Sequence, residues 1–365
     1  MQIRSGNKSP VTLFALACFA LLALILAENF KEHHKQSYYD LKMEAAELSE
    51  SSMQAVKRGG EKLGIAIDPE NDPNLTGLIG QQYTLVTTDR GYLRSKLLAT
   101  NPNFAAAFLT MFKRAGLKRG DHIAVALTGS LPGLNISCLA ACQVMELKPV
   151  IITSVGASTW GANESEYTWL DMEELLFDEG LIGFRSMAAS IGGGSDNGRG
   201  LSPEGRNLIV DAIERNDVRL IKSSSLEENI ETRMTILKEF IGNKRYKAYV
   251  NIGGGLASLG SSQNGRLIPY GLNLSLANRN FPARGVINFM AESGIPVIHI
   301  LQVDRLAERY GLSLNIIPNE EVGVGPLYYK EEYSITATVF VLIVLISVVF
   351  IFLRVDLGYY LKRRS

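Results

Sequence analysis

The chain has 365 residues, 37 basic and 37 acidic side chains, a hydrophobic content of 46% and a mean hydropathy of +0.08. This apolar content excludes a disordered chain, and three cysteines are too few for a secreted disulfide scaffold. Because the net charge is zero, the chain has no broad positive field that would attract nucleic acid. A mean hydropathy just above zero predicts a soluble body with a few lipid-embedded segments.

The first apolar segment is 11–27, which contains no charged residue and one polar residue, Thr12. As a helix it would be roughly 25 Å long, slightly shorter than the ~30 Å hydrocarbon core of a bilayer. Its apolar run exceeds the ~7–15 residues of a signal peptide, and the bulky Ile25 disfavours cleavage after Ala27. The segment predicts a retained transmembrane helix, with a cleaved signal peptide as the alternative.

A second apolar segment lies at 335–353 and also contains no charged residue. Its β-branched and aromatic residues occur all round the helix, which is unusual for a helix in the core of a soluble domain. The segment therefore predicts a second transmembrane helix, with a buried core helix as the alternative.

Basic residues predict how these segments are oriented. Lys330 is the only basic residue among the twenty residues before the second segment, whereas four basic residues follow that segment: Arg354, Lys362, Arg363 and Arg364. The positive-inside rule therefore predicts a basic cytoplasmic tail at 354–365. Two spans then predict a cytoplasmic N-terminus at 1–10 and an extracytoplasmic body at 28–334, attached to the cytoplasmic (inner) membrane. ATP and NAD are scarce outside the cytoplasm, so no cofactor is expected.

Residues 37–62 have apolar and small side chains at three- and four-residue spacing, which predicts an amphipathic helix. The helix would start close to the first predicted span, so it is either a neck or the first helix of the body. Gly59 and Gly60 predict its end.

Short apolar strands alternate with helical patterns through the rest of the body. The predicted strands are 83–88, 122–127, 149–154, 218–222, 248–252 and 296–301, and the predicted helices include 104–115, 134–147, 208–213 and 230–241. This alternation is typical of a mostly parallel sheet with helices on both faces. The predicted fold class is therefore α/β and doubly wound, as one large domain or as two lobes divided near 191–200.

Three loops that follow predicted strands carry the candidate ligand-binding residues. In a parallel sheet, ligands bind beyond the carboxyl ends of the strands, where glycines let backbone amides approach an anion. The candidates are Thr128, Gly129, Ser130 and Asn135 in the first loop, Ser154, Gly156 and Ser158 in the second, and Asn251, Gly253, Gly254, Gly255 and Ser258 in the third. These loops predict a cleft for carboxylate or phosphate groups, and glycine turns with a purely structural role are the alternative.

Ser130 is the candidate nucleophile, although the sequence offers it no obvious histidine base. The histidines lie near the predicted membrane, at the start of a strand or within an apolar strand: His33, His34, His122 and His299. A lysine or a carboxylate side chain as the base for Ser130 stays an open alternative.

Two further features predict structure rather than chemistry. Cys138 and Cys142 are two thiols without a nearby histidine, which predicts small buried residues and no metal site. The glycine-rich segment 191–200 predicts a mobile loop.

Several sequence pieces occur in a characteristic order along the chain. They are the two apolar spans, Thr128-Gly-Ser130, Gly156-Ala-Ser-Thr-Trp-Gly-Ala-Asn163, Thr168-Trp-Leu-Asp-Met-Glu173 and Asn251-Ile-Gly-Gly-Gly255. In these pieces the chain resembles the bacterial poly-γ-glutamate system proteins, over nearly its whole length. The resemblance implies an accessory membrane protein of poly-γ-glutamate synthesis and export, with the other subunits of that system as partners.

The resemblance assigns a catalytic role to no residue of this chain, so three alternative functions stay open. The first is a component whose outer body binds the emerging anionic γ-glutamyl polymer through its glycine-rich loops. The second is an extracytoplasmic hydrolase or transferase acting on γ-glutamyl or envelope amide bonds, with Ser130 as nucleophile. The third is a membrane scaffold that assembles other subunits.

Overall fold

The computed structural model describes residues 10–276 and 281–354. These residues form two compact units, a body unit (37–328) and a terminal unit that combines 10–36 with 329–354. Except for Pro10 and Arg354, the predicted cytoplasmic segment 1–10 and the predicted basic tail 354–365 lie outside the described residues.

The longest helix is α2 in the body unit, with 24 residues, and the helices at the two ends of the described chain have 20 residues each. They are α1 (Pro10–Asn29), α2 (Tyr39–Lys62), α3 (Leu93–Leu98), α4 (Phe104–Arg114), α5 (Pro132–Val144), α6 (Trp169–Asp178), α7 (Pro203–Arg215), α8 (Leu226–Ile241), α9 (Leu256–Leu259), α10 (Asn264–Leu267), α11 (Val286–Glu292), α12 (Val303–Tyr310) and α13 (Ile335–Arg354).

Of the strands, β1 and β13 belong to the terminal unit and the others to the body unit. They are β1 (Lys31–Lys35), β2 (Thr87–Asp89), β3 (His122–Thr128), β4 (Lys148–Ser154), β5 (Ala157–Ser158), β6 (Asn163–Glu164), β7 (Tyr167–Thr168), β8 (Ser186–Ser190), β9 (Arg219–Leu220), β10 (Ala248–Ile252), β11 (Gly271–Asn273), β12 (Val297–Ile300) and β13 (Tyr329–Tyr333).

The body unit is organised around one sheet, whose described strands lie in the order β11, β12, β10, β3, β4, β8, β9. Neighbouring strands pair in parallel, except that β11 pairs antiparallel with β12 at one edge. The chain runs outward from β3 to β9 on one side and then continues with β10 on the other side of β3. The predicted α/β body with a mostly parallel sheet is confirmed, and the strand order reverses between β3 and β10.

Apolar side chains fill both faces of this sheet. Successive residues of a strand point to opposite faces, and Ala124 and Ala126 of β3 lie in one core cluster with side chains from α8, α9 and α11. Ile123, Val125 and Leu127, on the opposite face of the same strand, are also buried. Helix α5 contacts β3 and is contacted in turn by α2 and α4. Helices therefore cover both faces, as in a doubly wound fold.

Helix α2 continues through the two glycines that were predicted to end it, and it reaches Lys62. A Cβ atom at Gly59 would collide with the hydroxyl oxygen of Tyr167. That hydroxyl donates a hydrogen bond of 2.8 Å to the carbonyl oxygen of Val56. The glycines therefore admit an aromatic side chain from a neighbouring strand, and the helix is a packed element of the body unit.

Two strand predictions differ from the structure. The predicted strand 83–88 is mostly irregular, and only Thr87–Asp89 is extended, where β2 pairs with β5. Strand β8 was not predicted, because its sequence Ser-Met-Ala-Ala-Ser contains a single large apolar residue, Met187, yet it pairs with both β4 and β9.

The segment 191–200 is anchored to the sheet, contrary to the predicted mobile loop and lobe boundary. Asp196 is buried, and its Oδ2 lies 2.8 Å from Nη2 of the buried Arg233 on α8. The same carboxylate accepts hydrogen bonds of 2.7 Å from the hydroxyls of Ser154 and Ser190, at the ends of β4 and β8. This ion pair and its two hydroxyls fix the loop to the carboxyl ends of two strands.

The terminal unit joins the two ends of the described chain. Strands β1 and β13 pair antiparallel, with Lys31 opposite Tyr333, and α1 contacts α13. Many large apolar side chains of the two helices are exposed, among them Leu13, Phe14, Leu21, Leu24, Val339, Phe340, Ile343, Ile346 and Phe350. Within the described residues, no helix combines the length and the apolar character needed to cross a membrane. The transmembrane helices predicted at 11–27 and 335–353 therefore stay predictions.

We expect Arg233→Gln to destabilise the body unit by about 3–5 kcal/mol, because it leaves the Asp196 carboxylate buried without its cation. The measurement is the free energy of unfolding of the full chain in detergent micelles, from urea titration. The matched control is Arg219→Gln, which removes an ion pair with Glu239 in which both side chains are 60% exposed. Its expected effect is about 0–1 kcal/mol. Equal effects of the two substitutions would contradict the anchoring role of the buried pair.

Candidate functional site

The carboxyl ends of β3 and β10 meet where the strand order reverses. Ligands of doubly wound sheets bind in the crevice at such a reversal. Thr128 ends β3, and its hydroxyl donates a hydrogen bond of 3.2 Å to the carbonyl oxygen of Ile252, which ends β10. The first and third predicted loops therefore start side by side at this edge of the sheet.

Glycines let the third loop lie directly against the first. Gly253 has φ +95°, and a Cβ atom there would collide with the hydroxyl of Thr128. A Cβ atom at Gly255 would lie 3.3 Å from Cγ2 of Thr128 and 3.5 Å from Oγ of Ser154. Gly254 is exposed. The structure therefore brings the three loops together, and Gly254 faces solvent among them.

Three of the predicted polar residues are buried and support the loops. The amide nitrogen of the Asn135 side chain donates to the carbonyl oxygen of Thr128 (2.9 Å), and that of Asn251 donates to the carbonyl oxygen of Gly253 (2.9 Å). The Ser258 hydroxyl lies 2.7 Å from the hydroxyl of Tyr249. We assign these three side chains a structural role in shaping the edge.

The second loop is tied to its neighbours by backbone hydrogen bonds. The amide of Gly129 donates to the carbonyl oxygen of Ser154 (3.1 Å), and the amide of Gly156 donates to that of Ile191 (2.9 Å). Ser154 is engaged by Asp196 in the buried ion-pair cluster. Of the second-loop candidates, Ser158 is the one that is partly exposed.

A lysine joins the two partly exposed serines of the site. Nζ of Lys96, on α3, donates to Oγ of Ser158 at 2.7 Å and also donates to the backbone oxygen of Ser130. The amide of Ser158 donates to Oγ of Ser130 at 3.0 Å. Lys96 itself is only 4% exposed. We name this group the serine–lysine cluster: Lys96, Ser130 and Ser158.

Burial changes the charge of Lys96. Desolvation of its ammonium group lowers its pKa to about 7. The hydroxyl and carbonyl oxygens that it contacts carry no full negative charge to offset this effect. Near neutral pH, a large fraction of Lys96 therefore has a free lone pair that can accept a proton from Ser158.

Gly91 lies directly against the contact between Lys96 and Ser158. A Cβ atom there would lie 2.9 Å from Cε of Lys96 and 3.0 Å from Oγ of Ser158. The Gly91 amide donates to Oγ1 of Thr159 at 2.8 Å, which holds this short segment against the second loop.

This arrangement suits nucleophilic acyl transfer. A serine hydroxyl beside a lysine of lowered pKa is a known variant of the serine–base pair. Ser158, whose hydroxyl contacts Nζ, is placed as the nucleophile, whereas the predicted candidate Ser130 offers Nζ its backbone oxygen. Helix α5 begins at Pro132, so the partial positive charge of its N-terminus lies close to Ser130 in the chain.

Sequence reasoning missed Lys96. The six residues of α3, Leu-Arg-Ser-Lys-Leu-Leu, show no motif and are too short for a clear helical period. The only available signal was a lysine within an apolar stretch, which is common on helix surfaces.

A cavity of about 410 Å³ lies beside this site and does not include it. Its walls come from the end of α2, from residues 65–82, from residues 161–164, and from Tyr167 and Met172. In the serine–lysine cluster, Ser130 and Ser158 are partly exposed and Lys96 is buried. The hydrogen-bonded Lys96 and Ser158 belong to the cluster and do not line the cavity.

No group of histidine, cysteine, aspartate and glutamate side chains suited to a metal ion occurs in the parts of the chain that the structure describes. Cys138 and Cys142 are buried free thiols, as their predicted role as small buried residues requires.

No family model, curated protein or solved structure matches this chain.

We expect the stability of the native chain to rise with pH between about 7 and 10.5 because of Lys96. Its pKa is lower in the folded state, so in this window the unfolded chain binds more protons and loses them as pH increases. Lys96→Met should remove this dependence, which amounts to about 5 kcal/mol across the full window. The measurement is the urea unfolding free energy at several pH values, with the exposed Lys118→Met as control. A pH profile unchanged by Lys96→Met would contradict a buried, partly neutral lysine.

Proposed function

We propose that this chain is a membrane-anchored component of a bacterial poly-γ-glutamate synthesis and export system, and that its body cleaves or transfers γ-glutamyl or envelope amide bonds at Ser158. The observation that carries the catalytic part is the 2.7 Å contact between Nζ of Lys96 and Oγ of Ser158. The order of sequence pieces that resembles the poly-γ-glutamate system proteins supports the wider assignment.

The proposed reaction proceeds through an acyl-enzyme. Neutral Lys96 takes the proton of the Ser158 hydroxyl as Oγ forms a bond to the amide carbonyl carbon. The tetrahedral intermediate collapses, the C–N bond breaks, and the leaving amine takes the proton from Lys96. Water then attacks the ester in a hydrolase, or a second amine attacks in a transferase, and the Ser158 hydroxyl is restored with its proton.

Exposed apolar surface supports membrane attachment. Helices α1 and α13 contact each other and leave large apolar side chains uncovered, which is costly in water. The paired strands β1 and β13 hold the two helices at a common base. Both helices would then enter the bilayer from the same side, with the body outside the cytoplasm. A membrane scaffold without catalysis is the alternative that this surface also supports.

The glycine loops support a second role, in which the outer body binds the emerging polymer. Gly254 is exposed among three adjacent loops at the carboxyl edge of the sheet. Carboxylates of a γ-glutamyl chain could accept hydrogen bonds from backbone amides there.

We expect a fluorophosphonate probe to label Ser158, with a rate that rises as pH increases through about 7, because the base must be neutral. Ser158→Ala should abolish labelling and lower hydrolysis of a γ-glutamyl anilide by about 10³-fold or more. Lys96→Met should shift labelling to higher pH or remove it. Ser262→Ala is the control, since Ser262 is exposed and lies outside the serine–lysine cluster. Full activity of Ser158→Ala would refute the catalytic proposal.

Membrane attachment has its own test. The native chain should stay in the membrane pellet after alkaline carbonate washing, and a chain limited to 37–328 should be released. Replacing the two apolar segments with unrelated transmembrane helices should preserve polymer output if the body acts alone. Loss of output with retained membrane attachment would favour the scaffold alternative.

A further inference from the structure

The cavity beside the serine–lysine cluster has a size typical of ligand sites. Its volume is about 410 Å³, within the range of roughly 300–1,000 Å³ found for small-molecule pockets. It lies wholly within the body unit. Nothing in the proposed reaction uses it so far.

The cavity shares a wall with the serine–lysine cluster. Gly161 lines the cavity, and a Cβ atom there would lie 3.0 Å from Cα of Ser130 and 2.9 Å from the carbonyl oxygen of Gly129. Trp160, the residue before it, lies two positions after Ser158. The cavity wall at Gly161 therefore follows the proposed nucleophile by three residues, and the Gly161 amide donates to the carbonyl oxygen of Ser158 (2.9 Å).

Trp160, which precedes Gly161 and does not itself line the cavity, is held in an unusual conformation. Its φ is +59°, a left-handed value that bulky residues rarely adopt. Its amide donates to the carbonyl oxygen of Gln81 (2.9 Å), and its carbonyl oxygen accepts from the amide of Gly80. Its indole Nε1 is buried and has no hydrogen-bond partner among the described residues. These backbone hydrogen bonds hold the strained turn against Gly80 and Gln81, two residues that do line the cavity.

The polar groups of the cavity suit a peptide. Carboxamides of Asn71, Gln81, Gln82 and Asn163 line it together with apolar side chains. Asn163 is fully buried, and its Oδ1 accepts no hydrogen bond in the described part of the chain. Amide groups in a partly apolar groove can satisfy the backbone of an extended peptide.

The charges of the cavity favour a cation. Its charged lining consists of one lysine, Lys57, and three acids, Glu61, Asp68 and Glu164. Hydrogen bonds from Asn71 and from the backbone lower the pKa of Asp68, so its carboxylate stays ionised. An excess of carboxylates attracts an ammonium group and repels a polyanion.

We propose that this cavity is a substrate subsite for a short peptide segment that carries a free amino group. The inference rests on the proposed function, because it names the substrate arm that would lie beside Ser158. It implies that the reacting amide belongs to an amine-bearing peptide, and that a poly-γ-glutamate chain does not occupy this cavity.

The test measures binding without catalysis, by calorimetry on the Ser158→Ala full chain in detergent micelles. The probes are acetyl-Ala-Lys-Ala-amide, the same peptide with its lysine acetylated, and a γ-linked triglutamate. We expect the lysine peptide to bind at least about fivefold more tightly than either of the other two probes. Equal binding of the lysine and acetyl-lysine peptides, or tighter binding of triglutamate, would overturn the proposal.

Variants locate the binding to the cavity. Asp68→Asn and Glu164→Gln should each weaken binding of the lysine peptide by about threefold to fivefold. Glu166→Gln is the matched control, because Glu166 is exposed on the same hairpin and does not line the cavity. An unchanged affinity in both test variants would refute the subsite. Loss of the subsite leaves Ser158 labelling intact, whereas failed labelling with intact peptide binding would refute only the catalytic proposal.

Discussion

The pairing of β3 with both β4 and β10 is the interaction on which the candidate site depends. Parallel pairing aligns the carboxyl ends of these strands, so the three loops that follow them emerge at one edge. Small residues such as Ala124 and Ala126 let helices approach this central strand closely. Thr128 then completes the edge by bonding to the end of β10. A shift in register at β3 would separate every predicted loop from its neighbours.

Burial of Lys96 is the main energetic cost at this edge. An ammonium group loses its hydration there, and the oxygens of Ser130 and Ser158 replace only part of it. The fold tolerates this cost because the lysine can lose its proton near neutral pH. The loss of hydration that reduces stability also lowers the pKa of Lys96, so the lysine can act as a base. Such a trade-off is expected at functional sites.

Elements with large apolar residues could be predicted from the sequence. Strands β3, β4 and β10 and helices α4 and α8 follow from their periodicity, and the strand-then-glycine pattern located the three loops. Strand β8 could not be predicted, since its small residues are buried only because two strands flank it. The buried ion pair of Asp196 could not be predicted because its partner Arg233 lies 37 residues away in the chain, on α8. Lys96 was missed for the same reason: its role arises from the docking of α3 against the second loop.

The paired strands β1 and β13 have a consequence for the order of folding. Lys31 meets Tyr333, so this ribbon contains residues from nearly opposite ends of the chain. It can form only after synthesis has passed the whole body unit. Closing a large loop costs conformational entropy, and this cost grows only slowly with loop length. A body unit that has already folded brings distant segments together and lowers the entropy cost of closing the ribbon. The ribbon therefore forms late in folding. A chain truncated before residue 329 would leave β1 without its partner strand, as an unpaired edge that can associate with strands of other chains.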